Sequence, residues 1–206
     1  MHLKFIRGMR VILMLAFAMS VSGSAAPKDL PEDRDMQIFV AQILEATDLR
    51  NEVHVVLDPG AKGCAYATTR SGTQYIGVDP RCVGPLRKNG VYEWRAVGVL
   101  THEIGHLLSG HTTNQKEDNP SEESDADEWS GWAMYRLGAT LEEAQVCMKS
   151  MDEQGSKTHP GRGARVASVA RGWNKAASSW AAGPPARLNG NWWAQIMKTP
   201  LPWAGR

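Results

Sequence analysis

Residues 101–111 read THEIGHLLSGH, with two histidines four apart and a glutamate directly after the first. On an α-helix, His102 and His106 stand one turn apart on the same face, so both imidazoles reach a single metal ion. Glu103 lies on the adjacent flank, where a carboxylate can serve as a base toward a metal-bound water. Zinc in a hydrolase takes three protein ligands and keeps a fourth position for that water. The third ligand must come from elsewhere. His111 is one residue short of the position an extended H-E-x-x-H-x-x-G-x-x-H pattern needs, which is Thr112 here. It is expected to satisfy backbone groups where the helix ends. The acidic stretch 122–128, EESDADE, offers Glu123 and Asp127 four apart on one helix face, with Glu122 and Asp127 as rivals for the ligand position. A glutamate ligand, plus an aspartate bonding the distal nitrogen of a zinc histidine, would complete such a site. On spacing alone, the same carboxylates would serve equally well to solvate a helix face.

These residues need elements to hold them. Trp94, Val97, Leu100, Ile104, Leu107 and Leu108 fall at helical spacing and place the histidine pair on a helix that ends near Gly110. Gly105 inside that helix costs about 1 kcal/mol relative to alanine, and a close approach of another backbone beside the metal would explain it. Upstream, Met36, Phe39, Val40, Ile43 and Leu44 mark an amphipathic helix over 34–50. EVHVVLD alternates as a strand, and CAYATT and QYIGV flank RSG as a hairpin. Downstream, Asn119-Pro120 opens the acidic helix and Gly138 stops it. Thr140 and Glu143 form a capping box that opens a short helix through Met151. A last helix carries Val166, Val169 and Trp173 on one face. The fold expected is α+β, helices packed on a small, mainly antiparallel sheet.

The chain has 206 residues, 42% of them hydrophobic, enough for one substantial core. A net charge of +1 gives no case for a nucleic-acid partner. Residues 115–153 carry eleven acidic side chains against three basic, and 154–206 carry eight basic and none acidic. The simplest use of that asymmetry is packing of the basic segment on the acidic one. A basic start, the short apolar run VILMLAFAM and small residues up to Ala26 have the layout of a secretory signal peptide over 1–26. No later stretch reaches membrane-spanning length. The expectation is an exported, periplasmic or secreted protein, with a main domain at 27–182 and a Trp- and Pro-rich tail at 183–206. In an oxidising compartment Cys64 and Cys82 are the expected disulfide, leaving Cys147 free. A turn at Ser71-Gly72 would put Cys64 opposite Asp79, so Cys82 has to fold back to reach it.

Three blocks in order, GVLTHEIGHLLSGHT, ESDADEWSGWAMYRLGATLEEA and THPGRGAR, together resemble the M48 family of gluzincin zinc peptidases. That family's pattern has H-E-x-x-H, then E-x-x-x-D on a helix, then His-Pro with an arginine six residues past the histidine. The resemblance covers roughly residues 60–173 and implies a zincin-like (minigluzincin) core. It implies one zinc ion on His102, His106 and Glu123, with Glu103 as general base. Asp127 would orient a ligand histidine, and His159 would face the reacting carbonyl with Arg165 supporting it. The small-residue strand around CAYATT would offer an edge on which an extended peptide pairs. The tail after Ala182 has no counterpart in that family.

Two readings of function follow. One is an exported zinc endopeptidase acting on unfolded or envelope proteins. The other is a zinc-stabilised, non-catalytic adaptor whose tryptophan-rich tail engages a partner or a glycan.

Overall fold

The computed structural model describes residues 27, 30–61, 63–88, 91–112 and 119–179. The expected leader at 1–26 and the tail at 183–206 lie outside the described residues. Helix α1, Arg34–Ala46, buries Met36, Phe39, Val40, Ile43 and Leu44, the stripe that the spacing predicts. Asp33 caps it, accepting a 2.8 Å hydrogen bond from the Met36 N–H. The stripe lies against strand β1, Val53–Leu57. Strands β2, Ala65–Arg70, and β3, Thr73–Val78, complete a three-stranded sheet in the order β1-β3-β2.

That sheet is mixed, which corrects the mainly antiparallel expectation. β2 and β3 form the predicted antiparallel hairpin, but β3 runs parallel to β1 and sits between the other two strands. Alternating hydropathy reports which face of a strand is covered and is blind to the order of strands across a sheet. β1 is also apolar on both sides. Val56 is buried beside Val53 and Val55, as befits a strand in a parallel pair. The hairpin turn has positive φ at both central residues, Ser71 (51°) and Gly72 (83°), as a tight two-residue connection requires.

After β3, Asp79 accepts from the Arg81 N–H and Pro80 takes the first helical position, which opens the short helix α2, Pro80–Val83. This turn carries Cys82 back to Cys64 with a Cα separation of 5.2 Å, and the two form a disulfide. Asp79 donates its N–H to the Cys64 carbonyl at 2.9 Å. The expected Cys64–Asp79 register therefore holds, and α2 supplies the fold-back. Short strands β4, Arg87–Lys88, and β5, Val91–Tyr92, pair as a separate ribbon before helix α3, Trp94–Leu108.

α3 packs between the sheet and helix α4, Pro120–Arg136. Leu100 and Ile104 are wholly buried, and each contributes about 1.5–3 kcal/mol by leaving water. Asn119 caps α4 and Pro120 stands at its first turn, as expected. The capping box of Thr140 and Glu143 is present, but helix α5 stops at Leu141–Ala144. Where a helix through Met151 is expected, the chain tightens into a 3-10 turn at Met148–Ser150. Ala144, Cys147 and Met148 stay buried across this change. Helix α6, Arg162–Ser179, closes the fold against α4. No described helix is long and apolar enough to cross a membrane.

The described molecule is thus an α+β protein in which three helices, α3, α4 and α6, stand in a row beside a small mixed sheet. Among the described residues the basic segment does meet the acidic one, since Glu128 of α4 faces Arg171 (3.4 Å) and Lys175 (3.6 Å) of α6.

Candidate metal centre

The backbones of the three helices meet at small residues, and that contact sets the site. A Cβ on Gly105 would lie 2.9 Å from the Ala126 carbonyl oxygen and 3.0 Å from its Cα. The close approach that Gly105 calls for is therefore the main chain of α4. One turn away, the Thr101 and Ser130 hydroxyls meet at 2.7 Å. This pairing directs Glu123 and Asp127, which flank Ala126 along α4, at the histidines of α3. On the far side of α4, a Cβ on Gly131 would collide with the Val169 carbonyl, and one on Gly172 with the Glu128 carbonyl. α6 can then approach closely enough for Arg165 to reach between the other two helices.

A Gly105→Ala chain should gain about 1 kcal/mol of helix propensity and lose about 1–3 kcal/mol to the enforced separation. We expect a net loss of stability in thermal melting, with weaker binding of any metal ion the cluster holds. Unchanged melting and metal affinity would contradict the crossing just described.

Two imidazoles and one carboxylate converge below the surface. His102 Nε2 and His106 Nε2 are 3.1 Å apart. Glu123 Oε1 lies 3.2 Å from His106 Nε2, and Glu123 Oε2 lies 3.5 Å from His102 Nε2. All three side chains are buried, and their donor atoms form a group able to hold a metal ion. Glu122, the rival one position earlier, is not a member of that group, and Asp127 stands behind His102, 2.8 Å from its Nδ1. Arg165 braces this arrangement from α6. Its Nε and Nη2 each donate to one Asp127 oxygen at 2.8 Å, a two-pronged contact. Nη2 also lies 3.1 Å from Glu123 Oε2. That approach is off the hydrogen-bonding direction, and Glu123 Oε2 is a buried oxygen with no hydrogen bond.

The electrostatics favour a cation at the point of convergence. Burial disfavours charge on His102, yet the Asp127 and Glu123 carboxylates outweigh it and push its pKa up to about 10. Burial likewise opposes ionisation of Glu123, but the His102 and His106 imidazoles facing it hold its carboxyl well below the ordinary range. Arg165 keeps its charge against burial through Asp127.

The donor set suits a small divalent ion on three grounds. Donors bound tetrahedrally at zinc distances are about 3.3 Å apart, close to the separations found between the three side chains. Two imidazole nitrogens and a carboxylate oxygen are ligands that zinc favours. The orphaned Glu123 oxygen, costly when buried, is an acceptor awaiting a partner.

The remaining expected residues fall as follows. Glu103 is 9% exposed and follows His102 in α3, near enough for its charge to act on that imidazole. His159 precedes α6 on a loop, its side chain 46% exposed, with Nε2 3.6 Å from Glu123 Oε1. That is too long for a hydrogen bond, and it puts His159 at the mouth of the site. The expected support of His159 by Arg165 takes a different form, since Arg165 engages Asp127 and Glu123 and lies within 3.3 Å of both His102 ring nitrogens. His111 was expected to serve only the helix end. Its N–H does donate to the His106 carbonyl at 3.1 Å, but its ring also meets His106, Nδ1 to Nδ1 at 3.1 Å. Gly110 ahead of it, with φ 73°, is the sequence signal that could have revealed this.

No protein-family model, no curated protein and no solved structure matches this chain.

Proposed function

We propose that the chain is an exported zinc endopeptidase of the gluzincin type, built on a zincin-like core and cleaving unfolded or envelope proteins. The observation that carries this reading is the convergence of His102 Nε2, His106 Nε2 and the Glu123 carboxylate in a buried cluster with the tetrahedral edge lengths zinc prefers. His102, His106 and Glu123 would hold the ion. It would supply Lewis-acid chemistry, acidifying water and polarising a carbonyl.

The other steps belong to the protein. Glu103 takes the proton of the attacking water and returns it to the leaving amine. Asp127 accepts from His102 Nδ1 and so holds that imidazole with Nε2 directed inward. His159, at the mouth, is placed to donate toward a developing oxyanion. Arg165 fixes Asp127 and Glu123 in register.

β2 stands at the sheet's edge and borders α3, so an extended substrate pairing with it would pass the metal centre. The Cys64–Asp79 contact makes Tyr66 and Thr68 the residues whose N–H groups point to β3, leaving that of Ala67 on the outer edge. Ala67→Pro should therefore keep the hairpin and its zinc while raising KM about tenfold, the loss of one or two net hydrogen bonds. Normal kinetics would remove β2 from substrate binding.

The test of the whole reading uses purified protein. Zinc content and casein degradation are measured before chelation, after it, and after zinc is restored. Stoichiometric zinc with chelator-sensitive, zinc-restored hydrolysis is the expected result. Zinc without hydrolysis of any unfolded protein would favour the adaptor reading instead.

A further inference from the structure

The two histidines of α3 are backed by different partners. His102 Nδ1 faces Asp127 Oδ1 at 2.8 Å, whereas His106 Nδ1 faces the ring of His111 at 3.1 Å. We propose that His111 is a positioning residue for His106, an acceptor that fixes its tautomer and ring orientation toward the metal. The inference rests on the proposal that His102, His106 and Glu123 hold an ion.

The chain around His111 is shaped for this contact. Ser109 ends α3, and Gly110 adopts the left-handed conformation, φ 73°. The Gly110 N–H then donates to the Leu107 carbonyl at 3.3 Å and the His111 N–H to the His106 carbonyl at 3.1 Å. These two bonds form a Schellman turn, which reverses the chain over the last helical turn. It leaves the His111 ring tilted 68° against that of His106, with centroids 5.3 Å apart. The next residue is anchored as well, since Thr112 Oγ1 meets Thr69 Oγ1 of β2 at 2.7 Å. His111 is thus held between a helix end and the sheet's edge strand.

The chemistry assigns the protons. A His106 that presents the Nε2 lone pair to a cation carries its proton on Nδ1 and donates it. His111 Nδ1 then accepts, and the His111 proton resides on Nε2. A partner of this kind is worth about 10–100-fold in metal affinity.

The test compares wild type, His111→Phe, which keeps ring volume but lacks the acceptor, and His111→Asn, whose Oδ1 replaces Nδ1. Zinc and cobalt affinities are measured by competition with a chromogenic chelator. His111→Phe should bind both ions about 10–100-fold more weakly and shift the cobalt absorption bands. His111→Asn should stay within about threefold of wild type. Equal affinity in wild type and His111→Phe would overturn the assignment while leaving the metal site standing. Failure of wild type to bind either ion would overturn both. Should His111→Phe not fold, long-range nitrogen NMR of the zinc-loaded wild type decides. A proton on His106 Nδ1 and on His111 Nε2 supports the inference, and a proton on His111 Nδ1 refutes it.

Discussion

Glu103→Gln is expected to bind zinc as wild type does and to degrade casein about 10²–10⁴-fold more slowly in kcat. Glutamine keeps the shape of the side chain, so α3 and its buried face should be undisturbed, and the melting temperature should stay close to that of wild type. What it lacks is a basic oxygen. Of the groups near the cluster, Asp127 is occupied by His102 and Arg165, and Glu123 faces both imidazoles. Glu103 therefore has no evident substitute as proton acceptor. Full proteolysis by Glu103→Gln would end its assignment as general base without touching the metal site.

Glu123→Ala has the opposite signature, with metal and activity lost together. Losing a ligand should weaken zinc binding more than the about 10–100-fold of an outer partner. The apo-protein should also melt lower, since Arg165 and His102 lose a buried counter-charge; breaking such a pair costs about 3–5 kcal/mol. Glu122→Ala is the matched control. That side chain is only partly buried and is not a member of the convergent group, so its zinc content and activity should match wild type. Zinc retained by Glu123→Ala, or lost from Glu122→Ala, would reverse the assignment. Read side by side, the Glu103 and Glu123 variants separate chemistry from metal holding.

Local signals carried much of this arrangement. The apolar stripes of α1 and α3, the caps at Asn119 and Thr140, the Ser71-Gly72 turn and the His102–His106 pairing all arise within a few residues, where spacing dictates geometry. The choice between Glu122 and Glu123 is of another kind. Adjacent positions differ by about 100° around a helix, so only the line along which α4 crosses α3 selects one. That line depends on Gly105 against Ala126 and Thr101 against Ser130, contacts between distant parts of the chain. The position of β3 inside the sheet is equally non-local. The pairing of His111 with His106 lay hidden for a third reason: a helical projection turns His111 away, and only the reversal at Gly110 brings it back.

Gly131 and Gly172 carry a mechanical consequence. Where two helices touch through side chains, one can roll or slide a little as rotamers readjust. Here α4 and α6 abut with carbonyl groups seated where side chains would be, and such a joint has no play. The wall bearing Asp127 and Arg165 then behaves as a fixed jaw.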